Sequence, residues 1–313
     1  MIIAYVIATV AGIAATTQAS VNTEGRRMLK SPYLSAAFNF VVSFIVLAVI
    51  VLLTQHNLFI PLAEVAKHPL WIWIGGCCGP VVIIMSVLCL PVLGSAKNMM
   101  VACTGQILAG LIIDQFALFG SMQISMTVMR TIGAVLVMAG IVLASLEKEE
   151  RSERNNHGRV WIYILLALFN GTAAAVQIAA NGTLNTVVQD AGKTTIISMS
   201  VAFITVCTVM IILILIKGPD AIFEDGGSFS QLRPNMMVVY GGCCAVVVVG
   251  GNAIAAGMLS TGLINILNLA GMMATSLLID AVGFLGIPKK AVTLKKVAGM
   301  LLIIAGAAII SLL

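Results

Sequence analysis

Charge is what this chain has least of. Only 9% of its 313 residues are Asp, Glu, Lys or Arg, where a soluble domain carries about 25%. That scarcity excludes a sizeable water-facing domain. Histidine is nearly absent, with His56, His68 and His157 all outside the apolar runs. Seven cysteines without histidine or carboxylate at ligand spacing do not make a metal site. Within the apolar runs there is no Ser/His/Asp or metal constellation, so an enzyme is not expected, and neither is a cofactor. No acid lies in the middle of any apolar run, which weakens a simple carboxylate-swap antiport.

What is there is hydrophobic. Apolar residues make up 60% of the chain, and the mean hydropathy is +1.10. Runs of about 20 residues with almost no charge read as membrane helices. Ten are predicted: 2–22, 34–54, 71–91, 96–114, 127–146, 160–181, 194–216, 236–257, 262–280 and 292–313. The expected fold is all-α and polytopic, with the lipid bilayer as partner. Trp71, Trp73 and Trp161 stand at span starts, as interfacial anchors do. Residues 1–20 are read as a span rather than a signal peptide, because they have no basic leading region and recur internally. The net charge of +5 reflects loop cations near an anionic leaflet, not nucleic-acid binding.

The chain also contains itself twice. Gly12, Gln18 and Asn22 return 159 residues later as Gly171, Gln177 and Asn181, and Phe44 returns as Phe203. At an offset of 166, Gly75-Gly76-Cys77-Cys78 returns as Gly241-Gly242-Cys243-Cys244. Gly105, Asp114, Gly133 and Gly140 return as Gly271, Asp280, Gly299 and Gly306. Five spans per copy is an odd number, so tandem copies insert in opposite senses. The expectation is two inverted five-helix repeats, 1–146 and 160–313, joined by a charged linker at 147–159. This is the plan of secondary transporters, with a site near the midplane between repeats.

Loop charge sets the orientation. Of the 17 Lys and Arg residues, all but Lys67, Arg130 and Lys193 fall in the loops joining spans 1–2, 3–4, 5–6, 7–8 and 9–10. The positive-inside rule makes that side cytoplasmic and both termini extracytoplasmic. The signs in 147–159 nearly cancel, as in a solvated linker. The stretch 217–235 reads as a turn-rich connector.

The candidate site is a set of carboxamides. Gln18 and Asn22 lie one turn apart on one helical face, and Gln177 and Asn181 repeat them. Amides inside a membrane need partners, which lipid cannot supply. They are either interhelical glue, at roughly 0.5–2 kcal/mol each, or the lining of a substrate site. Asn39, Gln106, Asn252, Asn265 and Asn268 point the same way. Phe44 and Phe203 read as core packing or as an aromatic wall. Asp114 and Asp280 sit at span ends, each followed 16 residues on by a cation, Arg130 and Lys296. Helix-end ion pairs are the favoured reading, with proton coupling as the alternative. The paired cysteines sit beside glycines, where small side chains let helices approach.

Gln-x-x-x-Asn in the first span, Gly-Gln-x-Leu-Ala-x-Leu-Ile-Ile-Asp-x-Phe-x-Leu-Phe-Gly at 105–120, and Arg-x-x-Gly at 130–133 resemble the YdcZ-type family of the drug/metabolite transporter (DMT) superfamily. The resemblance spans essentially the whole chain, as a fused two-copy form. The second half keeps Gln177, Asn181 and Asp280, with Met272 in place of glutamine and Lys296 in place of arginine. It implies a transporter of the cytoplasmic (inner) membrane of bacterial type. By the same resemblance, related small exporters use a carboxylate in the first span, where the nearby polar residue here is the neutral Gln18, which argues against proton-coupled cation export. The expected function is secondary transport of a small metabolite or drug-like solute by alternating access, by a monomer or homodimer, with a coupling proton or ion left open. The alternatives are a non-transporting scaffold or assembly subunit, and a channel.

Overall fold

The structure, a computed structural model, describes residues 2–55, 65–121, 123–145, 157–229, 236–256, 261–287 and 289–312. They form ten long helices: α1 (Ile2–Leu29), α2 (Pro32–Gln55), α3 (Ile74–Leu93), α4 (Ser95–Phe116), α5 (Val128–Ser145), α6 (His157–Val188), α7 (Ala191–Lys217), α8 (Met236–Ala256), α9 (Thr261–Val282) and α10 (Leu294–Leu312). No strand occurs among the described residues. By length and composition six helices can each cross a membrane, and α5, α8 and α9 contain shorter apolar stretches. The ten apolar runs are the ten helices, and the protein is an all-α polytopic membrane protein.

Two helices outrun the spans read from hydropathy. The first was expected over 2–22 and continues to Leu29; the sixth, expected over 160–181, runs from His157 to Val188. Charge ends a hydropathy window but not a helix. Glu24 and Arg27 pair at 2.8 Å one turn apart, and the cations of the last turn suit its partial negative charge. The 28 residues of α1 extend about 42 Å at 1.5 Å each. α6 begins inside the expected linker, whose residues 147–156 lie outside the described residues.

Both long helices end in the same way. Lys30 and Gln189, 159 positions apart, turn the chain at φ 48° and 55°. The next residue caps the following helix. Ser31 Oγ accepts from Leu34 N at 3.2 Å, ahead of Pro32 in the first turn of α2. Asp190 Oδ1 accepts from Lys193 N at 2.8 Å.

The halves interlock. α1 packs on α8 and α9, while α6 packs on α3 and α4; α2 packs on α7 and α5 on α10. Glycine permits these crossings. Gly12 lies against the backbone carbonyl of Asn268 and Gly271 against that of Thr9. Gly171 lies against that of Ala102 and Gly105 against that of Leu168. A Cβ at any of the four would run into a carbonyl, and each contact has its mate at the repeat offsets. Along α5 and α10, Gly133 meets Gly306 and Gly140 meets Gly299. The reversed order makes that crossing antiparallel.

One set of mates is missing. α1 packs on α3, with Ala19, Leu90, Met99, Ile279 and Ile287 in one buried cluster. Among the described residues, which on α8 end at Ala256, α6 shows no comparably extensive packing on α8. Core packing does not hold for Phe44 and Phe203, which are 39% and 36% exposed. The buried face of α2 runs through Ala36, Phe40, Ser43 and Leu47 and leaves Phe44 at its edge.

Candidate carboxamide site

Three carboxamides of the first half join in a chain. Gln18 Nε2 donates to Asn39 Oδ1 at 3.4 Å, and Asn39 Nδ2 donates to Asn22 Oδ1 at 3.0 Å. Asn22 and Asn39 are buried. Ser35 Oγ donates to the Asn22 carbonyl at 2.8 Å. Ser43 Oγ reaches the carbonyls of Asn39 at 2.7 Å and of Gly242 at 3.2 Å. The side-chain oxygen of Asn22 rests against Gly241, where there is no room for a Cβ. The chain therefore ties α1 and α2 to each other and to α8 of the other half.

The second half repeats the frame without the chain. The side-chain oxygen of Asn181 rests against Gly75 as that of Asn22 rests against Gly241. Val201 faces Gly76 as Val42 faces Gly242. The position of Asn39, however, is taken by Ser198. Asn181 Oδ1 is buried with no hydrogen-bond partner. Gln177 is half-buried.

The other candidates fall in separate places. Asn268 Nδ2 donates to Asn252 Oδ1 at 2.7 Å, joining α9 to α8, while Asn268 Oδ1 has no partner. Gln106 is half-buried, and its backbone N–H abuts Gly171 of α6. Near it on α6, Asn170 is buried with an unpartnered Oδ1. The Asn265 side chain lies outside the described residues. Gln18 and Gln177 share no hydrogen bond, and α1 and α6 do not pack directly on one another among the described residues. All seven cysteines are free thiols.

The two acids differ. Arg130 Nη2 lies 2.5 Å from Asp114 Oδ2, and its Nη1 donates to the Ile124 carbonyl at 3.0 Å. Asp114 keeps 29% side-chain exposure, whereas Asp280 has none. Lys296 Nζ is 4.0 Å from Asp280. The Asp280 oxygens instead accept from Ser95 N at 2.6 Å and Ala96 N at 3.1 Å. These are the first two N–H groups of α4, which have no partner within the helix. An acid of the second half thus caps a helix of the first, a role that no local motif announces.

Arg26 was missed altogether, although Pro91 signals its partner. A proline inside a helix leaves the carbonyl four residues back without its N–H donor. In α3 that carbonyl belongs to Val87, and Arg26 Nη1 donates to it at 2.8 Å. Arg26 also holds both carboxylate oxygens of Glu224, at 2.8 and 3.0 Å. Arg26 thereby ties α1 to α3 and to the connector that carries Glu224. The offset mates of Arg26 and Pro91 are Asn185 and Gly257, so the second half has neither the guanidinium nor the proline at these positions.

The family described as "Putative inner membrane exporter, YdcZ" matches residues 3–143 and 162–309, one segment in each half. The chain belongs to this family. As a YdcZ-type chain it is an integral inner-membrane protein and a transporter of the DMT type. A search of curated proteins finds no match. A solved chain described as "Crystal structure of protein" aligns over 99% of this YdcZ-type chain and 96% of its own length, at TM-score 0.57 and 18% identity. At that identity the likeness concerns the fold alone.

Proposed function

We propose that this YdcZ-type protein is a secondary carrier that moves a small metabolite or drug-like solute across the inner membrane by alternating access. One observation carries the reading. Each half builds the same carboxamide frame against a glycine pair of the other half, yet among the described residues extensive packing joins α1 to α3 and not α6 to α8. Two equivalent arrangements of which one is engaged are what a carrier with two accessible states requires. On this reading residues 1–146 and 160–313 are inverted repeats with extracytoplasmic termini, and the α1–α3 side is the closed one and is cytoplasmic. Gln18, Asn22, Gln177 and Asn181 line the substrate path, with Asn39, Gln106, Asn252, Asn265 and Asn268 around them. Asp114–Arg130 and Asp280–Lys296 hold helix ends rather than relay protons.

The test is reconstitution in liposomes, with solutes first selected by thermal shift on the purified protein. Saturable uptake that falls in Gln177→Ala without loss of melting temperature supports the carrier. Non-saturating flux points to a channel. A protein that binds and moves no solute points to a scaffold.

A further inference from the structure

We infer that the second half carries a subsite for a neutral group with both a hydrogen-bond donor and an acceptor, a carboxamide above all, formed by Gln177, Asn181 and Ser198. The inference rests on the carrier reading and names the chemistry of one part of its substrate. The first half supplies the template. There, the Asn39 carboxamide accepts from Gln18 and donates to Asn22. The second half holds the same glutamine, the same asparagine and the same glycine pair behind them. At the third position Ser198 has two fewer side-chain heavy atoms than asparagine and reaches one bond less far.

The consequence is visible at Asn181. Its Oδ1 is buried and receives no hydrogen bond, whereas its mate on Asn22 is satisfied. An unmet buried acceptor costs about 1–3 kcal/mol, so a ligand that supplies the donor regains that energy. The same ligand group has the Gln177 amide as its second partner. Gln177 and Asn181 are half-buried, which leaves them within reach of a solute. A carboxamide is complementary to both amides at once. A quaternary ammonium offers neither donor nor acceptor.

The experiment is ligand-observed NMR on the full chain in detergent, with acetamide as probe and tetramethylammonium as counter-probe. Acetamide shows saturation transfer with the wild type. Ser198→Asn rebuilds the first-half chain, so it loses the transfer and melts higher. Gln177→Met, which removes one hydrogen bond, weakens acetamide about tenfold. Tetramethylammonium gives no transfer with any of them. No acetamide transfer in the wild type, or transfer undiminished in both Ser198→Asn and Gln177→Met, overturns the subsite. If transfer persists in those two variants but vanishes in Gln18→Ala, the carrier site stands and this subsite falls. If no variant at Gln18, Gln177 or Ser198 changes it, the carrier site falls as well.

Discussion

At the scale of the residue, identical side chains do different work. Gln18 donates into a buried chain, so Gln18→Ala leaves Asn39 Oδ1 without its donor. Interhelical hydrogen bonds in membranes contribute about 0.6–2 kcal/mol, and Gln18→Ala is expected to lower the melting temperature accordingly. Gln177 carries no such duty, so Gln177→Ala is expected to stay within about 0.5 kcal/mol of wild type. Thermal melting of the two variants side by side checks this, and equal losses would contradict it. The amide pairs were legible in the sequence because they recur at one-turn spacing. Their inequality was not, because it turns on Asn39 against Ser198, and Ser198 carries no signal of its own. Of the two readings of Phe44 and Phe203, core packing fails for a related reason: hydrophobicity does not distinguish a core face from a lipid face when both are apolar.

At the scale of the element, ten apolar runs gave the helices, while the repeated glycines marked the duplication and the structure places them at the helix crossings. Helix ends were the weak point, since hydropathy stopped at Asn22 while α1 continues through a paired Glu24 and Arg27. The cap on α4 was equally hidden, because Asp280 lies 185 positions from Ser95. That cap makes a graded prediction. Asp280→Ala frees two helix N–H groups and leaves Lys296 without its carboxylate, and breaking a buried ionic contact costs about 3–5 kcal/mol. Asp280→Asn keeps an acceptor and is expected to lose less. Asp114→Ala, at a partly exposed pair, is expected to lose less than Asp280→Ala. Denaturation of the three variants in the same detergent gives the order, and an Asp114 loss as large as that of Asp280 would refute the cap. The α5–α10 crossing adds a second case. Gly306→Leu must push α5 and α10 apart at Gly133, and over-packing of this kind costs about 1–3 kcal/mol or more. Val135→Leu, on an exposed position of α5, is the neutral control.

At the scale of the whole molecule, the repeat is symmetric in its frame and one-sided in its latch. Pro91 frees the Val87 carbonyl, Arg26 takes it, and Glu224 holds Arg26 from the far connector. The offset mates of Arg26 and Pro91, Asn185 and Gly257, carry neither a guanidinium nor a proline ring. On the proposed carrier reading, the α1–α3 side is the favoured closure and the Arg26 contacts set that preference. Hydrogen bonds to charged groups contribute about 1.5–3 kcal/mol, so Arg26→Gln is expected to raise the population of the opposite closure by on the order of tenfold. Two cysteine pairs in a cysteine-free background report the two closures. Ala19→Cys with Leu90→Cys lies within the buried cluster of the closed side. Ile178→Cys with Ala256→Cys joins the offset mates of those positions on α6 and α8. Oxidative cross-linking is expected to be fast for the first pair and slow for the second in the wild-type background. Because the slow pair samples the minor closure, its rate follows that population and should climb about tenfold with Arg26→Gln. Unchanged rates for both pairs would mean that Arg26 braces the fold without biasing access. A slower first pair with no gain in the second would mean that removing Arg26 loosens α1 from α3 without producing an alternative closure.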